Sequence, residues 1–217
     1  MNNIGFLFDM DGVIVPNHEY HYLAWQETGK KYGAKIDEIF YMEKMNGRTL
    51  AELVKVVFEG RITGDDILKV SNEKEAIYRE LYRPHLAPTP GLMDFLEESK
   101  DRGVPMVVGT SAPEENVIFT LDGLGIRNYF KGVVDASMVK KGKPEPEVYL
   151  KAAEMIQRDP TRCIVFEDAI SGIQAGKNAK AKVIGLATSH AREELNADLI
   201  IDNFEDLKWS EIEKLMS

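Results

Sequence analysis

Ile4-Gly5-Phe6-Leu7-Phe8-Asp9-Met10-Asp11-Gly12 is the stretch that decides the fold. A short, strongly apolar run passes directly into two carboxylates. Its length and composition predict a strand buried on both faces. On extended backbone, residues two apart lie on the same side, so Asp9 and Asp11 leave the strand end together.

Runs of the same kind recur at Val104–Val108, Gly132–Val134, Cys163–Phe166, Val183–Leu186 and Leu199–Ile201. Between them lie segments of helical length and period. Leu92, Phe95, Leu96 and Ser99 share one helical face, and Pro146-Glu147-Val148 opens a helix with proline in its first turn. Strand and helix in alternation predict a parallel sheet covered on both faces, an α/β, Rossmann-like three-layer core.

Residues 16–85 break the alternation, because no strand signal appears there. In the last of their helical segments Ile67, Val70, Lys74, Ile77 and Leu81 keep a 3-4-3-4 spacing after a cap-like Thr63-Gly64-Asp65-Asp66. The block reads as a helical cap domain, 16–85, inserted into a core made of 1–15 and 86–217, with the proline-rich 83–91 as the return linker.

The chain has 217 residues, 44% hydrophobic and 29% charged, near the averages for soluble globular proteins. A formal net charge of −9 disfavours nucleic acid or an acidic membrane surface as partner. Cys163, the single cysteine, lies in an apolar run and is expected to be buried in a strand. With no signal peptide and no long apolar stretch, a cytoplasmic protein is expected.

Ligands of open α/β sheets collect beyond the carboxyl ends of the strands. The first run ends in Asp9-Met10-Asp11, the second in Gly109-Thr110-Ser111, and the fourth in Glu167-Asp168. The basic cluster Lys140-Lys141-Gly142-Lys143 precedes the helix between the third and fourth. Each like-charged pair at 4 Å costs about 4 kcal/mol at an effective dielectric near 20, so four converging carboxylates require a cation. An all-oxygen set favours magnesium, and Lys143 adds a fixed positive charge. Taken alone, Thr110 also reads as a helix cap, Lys140 and Lys141 as solvated, and Glu167 or Asp168 as the cap of a helix starting at Ala169.

Asp9, Asp11, Thr110, Lys143 and Glu167-Asp168, in this order, resemble the four-motif signature of the haloacid dehalogenase superfamily, over nearly the whole chain. The resemblance implies that Asp9 attacks phosphorus and becomes phosphorylated. Asp11 then serves as acid and base, and Thr110 and Lys143 hold the phosphoryl oxygens, with Ser111 beside them at the substrate. Magnesium is bound by Asp9, Asp168, Glu167 and Asp11, the last through its main-chain carbonyl. The insertion after the first motif resembles the helical-cap branch, and Glu19-Tyr20-His21-Tyr22-Leu23-Ala24-Trp25 looks like the first cap helix of β-phosphoglucomutases and related sugar-phosphate phosphatases.

By that likeness His21, Arg48 and Lys74 are candidate substrate contacts. His21 and Trp25, four apart, share a helical face; His21 reads as a contact or as packing, and Trp25 as core. Lys74 either snorkels at the edge of its apolar stripe or faces the active-site mouth. Two departures count against a mutase: Leu50 stands where the mutase pattern has an arginine and Pro113-Glu114 where it has Lys-Asn, groups that would hold a second phosphate. The expected activity is therefore hydrolysis of a small phosphorylated metabolite such as a sugar phosphate. The alternative is interconversion of β-glucose 1-phosphate and glucose 6-phosphate.

Overall fold

The computed structural model describes residues 3–41 and 50–217. The chain divides into two compact units, Met1–Pro16 with Ala87–Ser217, and Asn17–Leu86.

The first unit is built on a parallel six-stranded sheet of β1 (Gly5–Phe8), β2 (Met106–Gly109), β3 (Val133–Val134), β4 (Cys163–Glu167), β5 (Lys182–Leu186) and β6 (Leu199–Ile201). Each of the six apolar runs forms a strand. Their order in the sheet is β3-β2-β1-β4-β5-β6, so the chain winds outward from β1 in one direction, then returns to β4 and winds outward in the other. The order reverses between β1 and β4, which opens a crevice at their carboxyl ends. Register fixes what meets there: Phe8 lies beside Val108 on one side and Phe166 on the other. Asp9, Gly109-Thr110 and Glu167-Asp168 thus emerge at one level.

Alternation along the strands divides the core into two layers. Leu7, Val107 and Val165 point to one face and pack with Val148, Ala152 and Ile173 from the helices Glu147–Met155 and Ile170–Asn178. Phe6, Phe8 and Phe166 point to the other face and join Phe95, Phe204 and Trp209. Phe8 and Phe166 stack at 4.6 Å between centroids, and Phe6 meets Phe166 edge-on at 5.4 Å. Such pairs add about 0.5–1.5 kcal/mol each beyond their area burial. They brace β1 against β4 directly beneath the crevice. The expected helical face of Leu92, Phe95, Leu96 and Ser99 is buried in the helix Leu92–Asp101.

The second unit contains the helices His18–Tyr32, Leu50–Val57 and Asp65–Tyr82 around Trp25, Val54, Phe58 and Val70. Trp25 is core, as its spacing suggested. Two readings are corrected. The last helix is entered through Gly64 with no side-chain cap, so Thr63 does not close it. Lys74 does not snorkel at an edge: it is buried, paired with Glu75 at 2.8 Å and with His21 Nδ1 at 2.6 Å, and its ammonium lies 5.6 Å from the centroids of both Trp25 and Tyr78. The rings and the carboxylate together replace the water that burial removes.

Candidate active site

Asp9 is held at the end of β1 by its own amide, which donates to the Phe166 carbonyl at 2.9 Å. Its side chain is buried and accepts from Lys143 Nζ at 2.7 Å. The same ammonium donates to Glu167 Oε1 at 2.6 Å. One carboxylate oxygen from each of Asp9, Glu167 and Asp168 lies within 4.8 Å of the others, and all three residues are buried. Asp11 is half-exposed and stands outside this trio.

Two glycines make room for the acidic groups. Gly12, at φ +76°, turns the chain after Asp11, and a Cβ there would stand 2.0 Å from Asp168 Oδ2. Gly172 lies in the first turn of the helix after β4, where a Cβ would stand 1.7 Å from Glu167 Oε1. No other residue type fits either position without moving a carboxylate.

Burial first of all pushes the Asp9 carboxyl well above the ordinary carboxylate range; Lys143 draws it back, while Glu167, Asp168 and Asp11 push it further up. For Lys143, burial works toward the neutral amine, but Asp9 and Glu167 outweigh it and hold the ammonium charged. Among the described residues the cluster gathers three buried carboxylates around one ammonium, and the donor set fits a hard divalent cation, to which Asp9, Asp168 and Glu167 offer only oxygen.

Thr110 is buried, and its Oγ1 accepts from the Ala112 amide at 3.0 Å. It therefore ties down the turn after β2 and is not the cap of the next helix, which begins after Pro113. Ser111 beside it is exposed. The basic cluster separates: Lys143 turns inward, whereas Lys140 and Lys141 are exposed, their amides donate to Glu147 Oε2, and the Lys141 ammonium lies 3.9 Å from Glu145 Oε1. Glu167 also secures the entry to the next helix, because its Oε2 accepts from the amides of Asp168 and Ala169 at 2.9 and 3.0 Å.

His21 and Lys74 belong to the other unit. There His21 stacks on Tyr78 at 3.9 Å between centroids. His21 Nδ1 lies 2.6 Å from Lys74 Nζ, and an ammonium there donates to it. Arg48 lies outside the described residues, as does the side chain of Leu50.

Three polar residues of the site were missed in the sequence. Thr188 Oγ1 donates to the Gly12 carbonyl at 2.6 Å, and Ser189 Oγ donates to the Asp168 carbonyl at 2.9 Å. They follow the end of β5, so the strand-end rule applied to the fifth run would have found them. His190 pairs with Ser189 Oγ through Nδ1 at 2.7 Å. The third, Tyr149, donates its hydroxyl to Glu167 Oε1 at 2.8 Å and reads in the sequence as one more apolar helix position.

The family model for haloacid dehalogenase-like hydrolases matches residues 5–180. Fructose-1-phosphate phosphatase YqaB of Escherichia coli is 35% identical over 175 residues, covering 81% of this chain and 92% of that protein. The β-phosphoglucomutase of Bacillus subtilis is 29% identical over 209 residues, covering 93% and 90% respectively. A haloacid dehalogenase hydrolase of family IA, variant 3, from Entamoeba histolytica superposes with a TM-score of 0.91 at 29% identity, over 98% of this chain and 99% of that one. The match spans β1 to β4 and every residue of the acidic cluster, and phosphatases and phosphomutases alike are among the relatives. The chain belongs to the haloacid dehalogenase-like hydrolases and is a phosphoryl-transfer enzyme.

Proposed function

We propose that the protein is a cytoplasmic, magnesium-dependent phosphatase that hydrolyses a small sugar phosphate through a phosphorylated Asp9. The observation that carries this reading is the buried Asp9 at the end of β1, paired with Lys143 at 2.7 Å and clustered with Glu167 and Asp168.

In the first step the Asp9 carboxylate attacks phosphorus as the P–O bond to the sugar breaks, and Asp11 gives its proton to the departing oxygen. In the second, Asp11 takes a proton from water, the water oxygen attacks the same phosphorus, and phosphate leaves Asp9 free. Half-exposure suits Asp11 to exchange protons in this way, while burial suits Asp9 to act where water does not compete. Lys143 and Thr110 hold the phosphoryl oxygens, Ser111 contacts the substrate beside them, and Gly12 and Thr188 keep the Asp11 peptide against Asp168. Bound by Asp9, Asp168 and the main-chain carbonyl of Asp11, with Glu167 beside them, magnesium would offset the negative charge of the phosphoryl group and the carboxylates.

Hydrolysis rather than mutase chemistry is supported by the residues after Thr110. Pro113 leads into a helix whose first turn carries Glu114 and Glu115, both exposed. A second phosphate at that place meets like charge, which disfavours retention of a bisphosphate.

The test is phosphate release from a panel of sugar phosphates, beginning with fructose 1-phosphate on the strength of the E. coli relative, with magnesium and with chelator. A coupled assay follows conversion of β-glucose 1-phosphate to glucose 6-phosphate in parallel. Magnesium-dependent phosphate release supports the proposal; efficient isomerisation with little release replaces it with a mutase.

A further inference from the structure

Lys143 reaches Asp9 from a segment that is neither helix nor strand, residues 139–146, between the turn Ala136–Met138 and the helix Glu147–Met155. Its ammonium nonetheless stands 2.7 Å from Asp9 Oδ1, with 8% of the side chain exposed. Lysine carries its charge on a flexible four-carbon stem, so this placement requires the main chain at 143 to be fixed.

Three side chains outside the segment fix it on both sides of Lys143. Glu147 Oε2 accepts from the amides of Lys140 and Lys141 at 2.8 and 3.1 Å. Glu147 Oε1 pairs with Lys151 at 3.0 Å, one turn along the same helix, and Lys151 Nζ donates to the Met138 carbonyl. On the other side Asn178 Nδ2, from the end of the helix Ile170–Asn178, donates to the Pro144 carbonyl at 2.9 Å. Within the span so held, the Glu145 amide donates to the Gly142 carbonyl at 3.1 Å and closes a turn over Lys143 and Pro144.

An acid in the first turn of a helix ordinarily serves that helix, through its dipole or by reaching back to the amide of the cap residue. Here the cap residue is Pro146, which has no amide proton, and Glu147 Oε2 reaches six and seven residues back instead. We propose that Glu147, Lys151 and Asn178 are positioning residues that clamp the segment carrying Lys143, so that its ammonium meets Asp9 already oriented. All three act through the main chain of the segment. The consequence for catalysis rests on the phosphatase reading above, in which Lys143 holds a phosphoryl oxygen; the clamp itself does not. Misplacing such a group by about 1 Å can cost about 100-fold in rate.

The experiment is acetylation of lysines in the whole protein by an N-hydroxysuccinimide ester, followed residue by residue by mass spectrometry, for the wild type, Glu147→Ala, Glu147→Gln and Asn178→Ala. Steady-state kcat and KM and thermal melts are measured on the same preparations. In the wild type the exposed Lys140 and Lys141 should react at least about ten-fold faster than Lys143, which reacts only when the segment opens. E147A should raise the Lys143 rate about ten-fold and lower kcat about 10- to 100-fold, with KM changed less than about two-fold. E147Q, whose amide oxygen still accepts, should stay within about three-fold of the wild type in both readouts. N178A, at an exposed position, should raise the Lys143 rate about three-fold.

A Lys143 as protected in E147A as in the wild type overturns the proposal. So does an E147Q that behaves like E147A, which would leave Glu147 acting only as a charge in the first turn of its own helix. Where E147A does not fold, N178A decides, and an unchanged Lys143 rate there overturns the clamp. A wild type that acetylates as expected but releases no phosphate removes the phosphatase reading and leaves the clamp standing.

Discussion

Lys143 and Lys74 are both buried lysines, one in each unit of the protein, and their surroundings differ in a way that separates a reactive site from a packed one. Among the described residues Lys74 has one glutamate, Glu75, an accepting imidazole and two aromatic faces. Lys143 has Asp9 and Glu167 within 2.7 Å and Asp168 close behind them. In the first case burial is answered by one opposite charge and by rings. In the second, among the described residues, the carboxylates of the cluster outnumber the lysine, which suits the cluster to bind a further cation. Buried lysine alone therefore says little; the balance of charge around it says what the site is for.

The largest expected effect lies on the acidic side of this comparison. Asp9→Asn should lower phosphate release at least about 10⁴-fold while the protein stays folded, since the change removes a buried charge without removing volume. Melting and phosphate assays on one preparation check both halves.

Replacing each lysine by methionine sharpens the contrast next. Either change breaks a buried ion pair and should cost about 3–5 kcal/mol of stability. Magnesium should restore part of that loss in Lys143→Met, where a cation can take the place of the ammonium, and none in Lys74→Met. Equal rescue of both, seen in thermal melts with and without magnesium, would erase the distinction. K143M should in addition lose about 10²–10³-fold in kcat, since it removes a charge aimed at the phosphoryl group.

A smaller effect is expected at Gly12. Magnesium at 100 times its Kd should stabilise the wild type by about 2.7 kcal/mol. Gly12→Ala should abolish most of that gain, because the added Cβ meets Asp168 Oδ2 at 2.0 Å and the φ of +76° disfavours any side chain. The comparison of melting shifts isolates metal binding from turnover.

The smallest effect concerns Cys163, whose thiol burial pushes up to about 12. Alkylation by iodoacetamide should stay slow in the folded protein from pH 7 to 9 and become fast on unfolding. The sign for stability follows: the unfolded thiol ionises near pH 8.5 while the folded one does not. This contribution is complete below about pH 8.5 and declines as the pH rises toward 12.

The sheet was legible because its strands are buried on both faces and so read as unbroken apolar runs, and because the polar residues that end them mark the site. Asp9, Thr110, Glu167 and Asp168 were found by that rule and stand at the carboxyl edge, and Lys143 was found as part of a basic cluster before a helix. What escaped it was side-chain partnership. Helical period placed Lys74 on the stripe of its helix, but not the rings of Trp25 and Tyr78 that permit burial. Tyr149 reads as an apolar neighbour of Val148, because its hydroxyl acts on a carboxylate carried by a different strand. Thr188 and Ser189 are short side chains whose role exists only once β5 lies beside β4 and the Gly12 turn comes within reach.

The most direct test of the central claim is acid quench of the enzyme during turnover, followed by mass spectrometry of its peptides. The mechanism predicts one phosphoryl group on the peptide containing Asp9, present in the wild type and missing in Asp9→Asn. Full turnover with no phosphorylated peptide, or with the group on another residue, would contradict it.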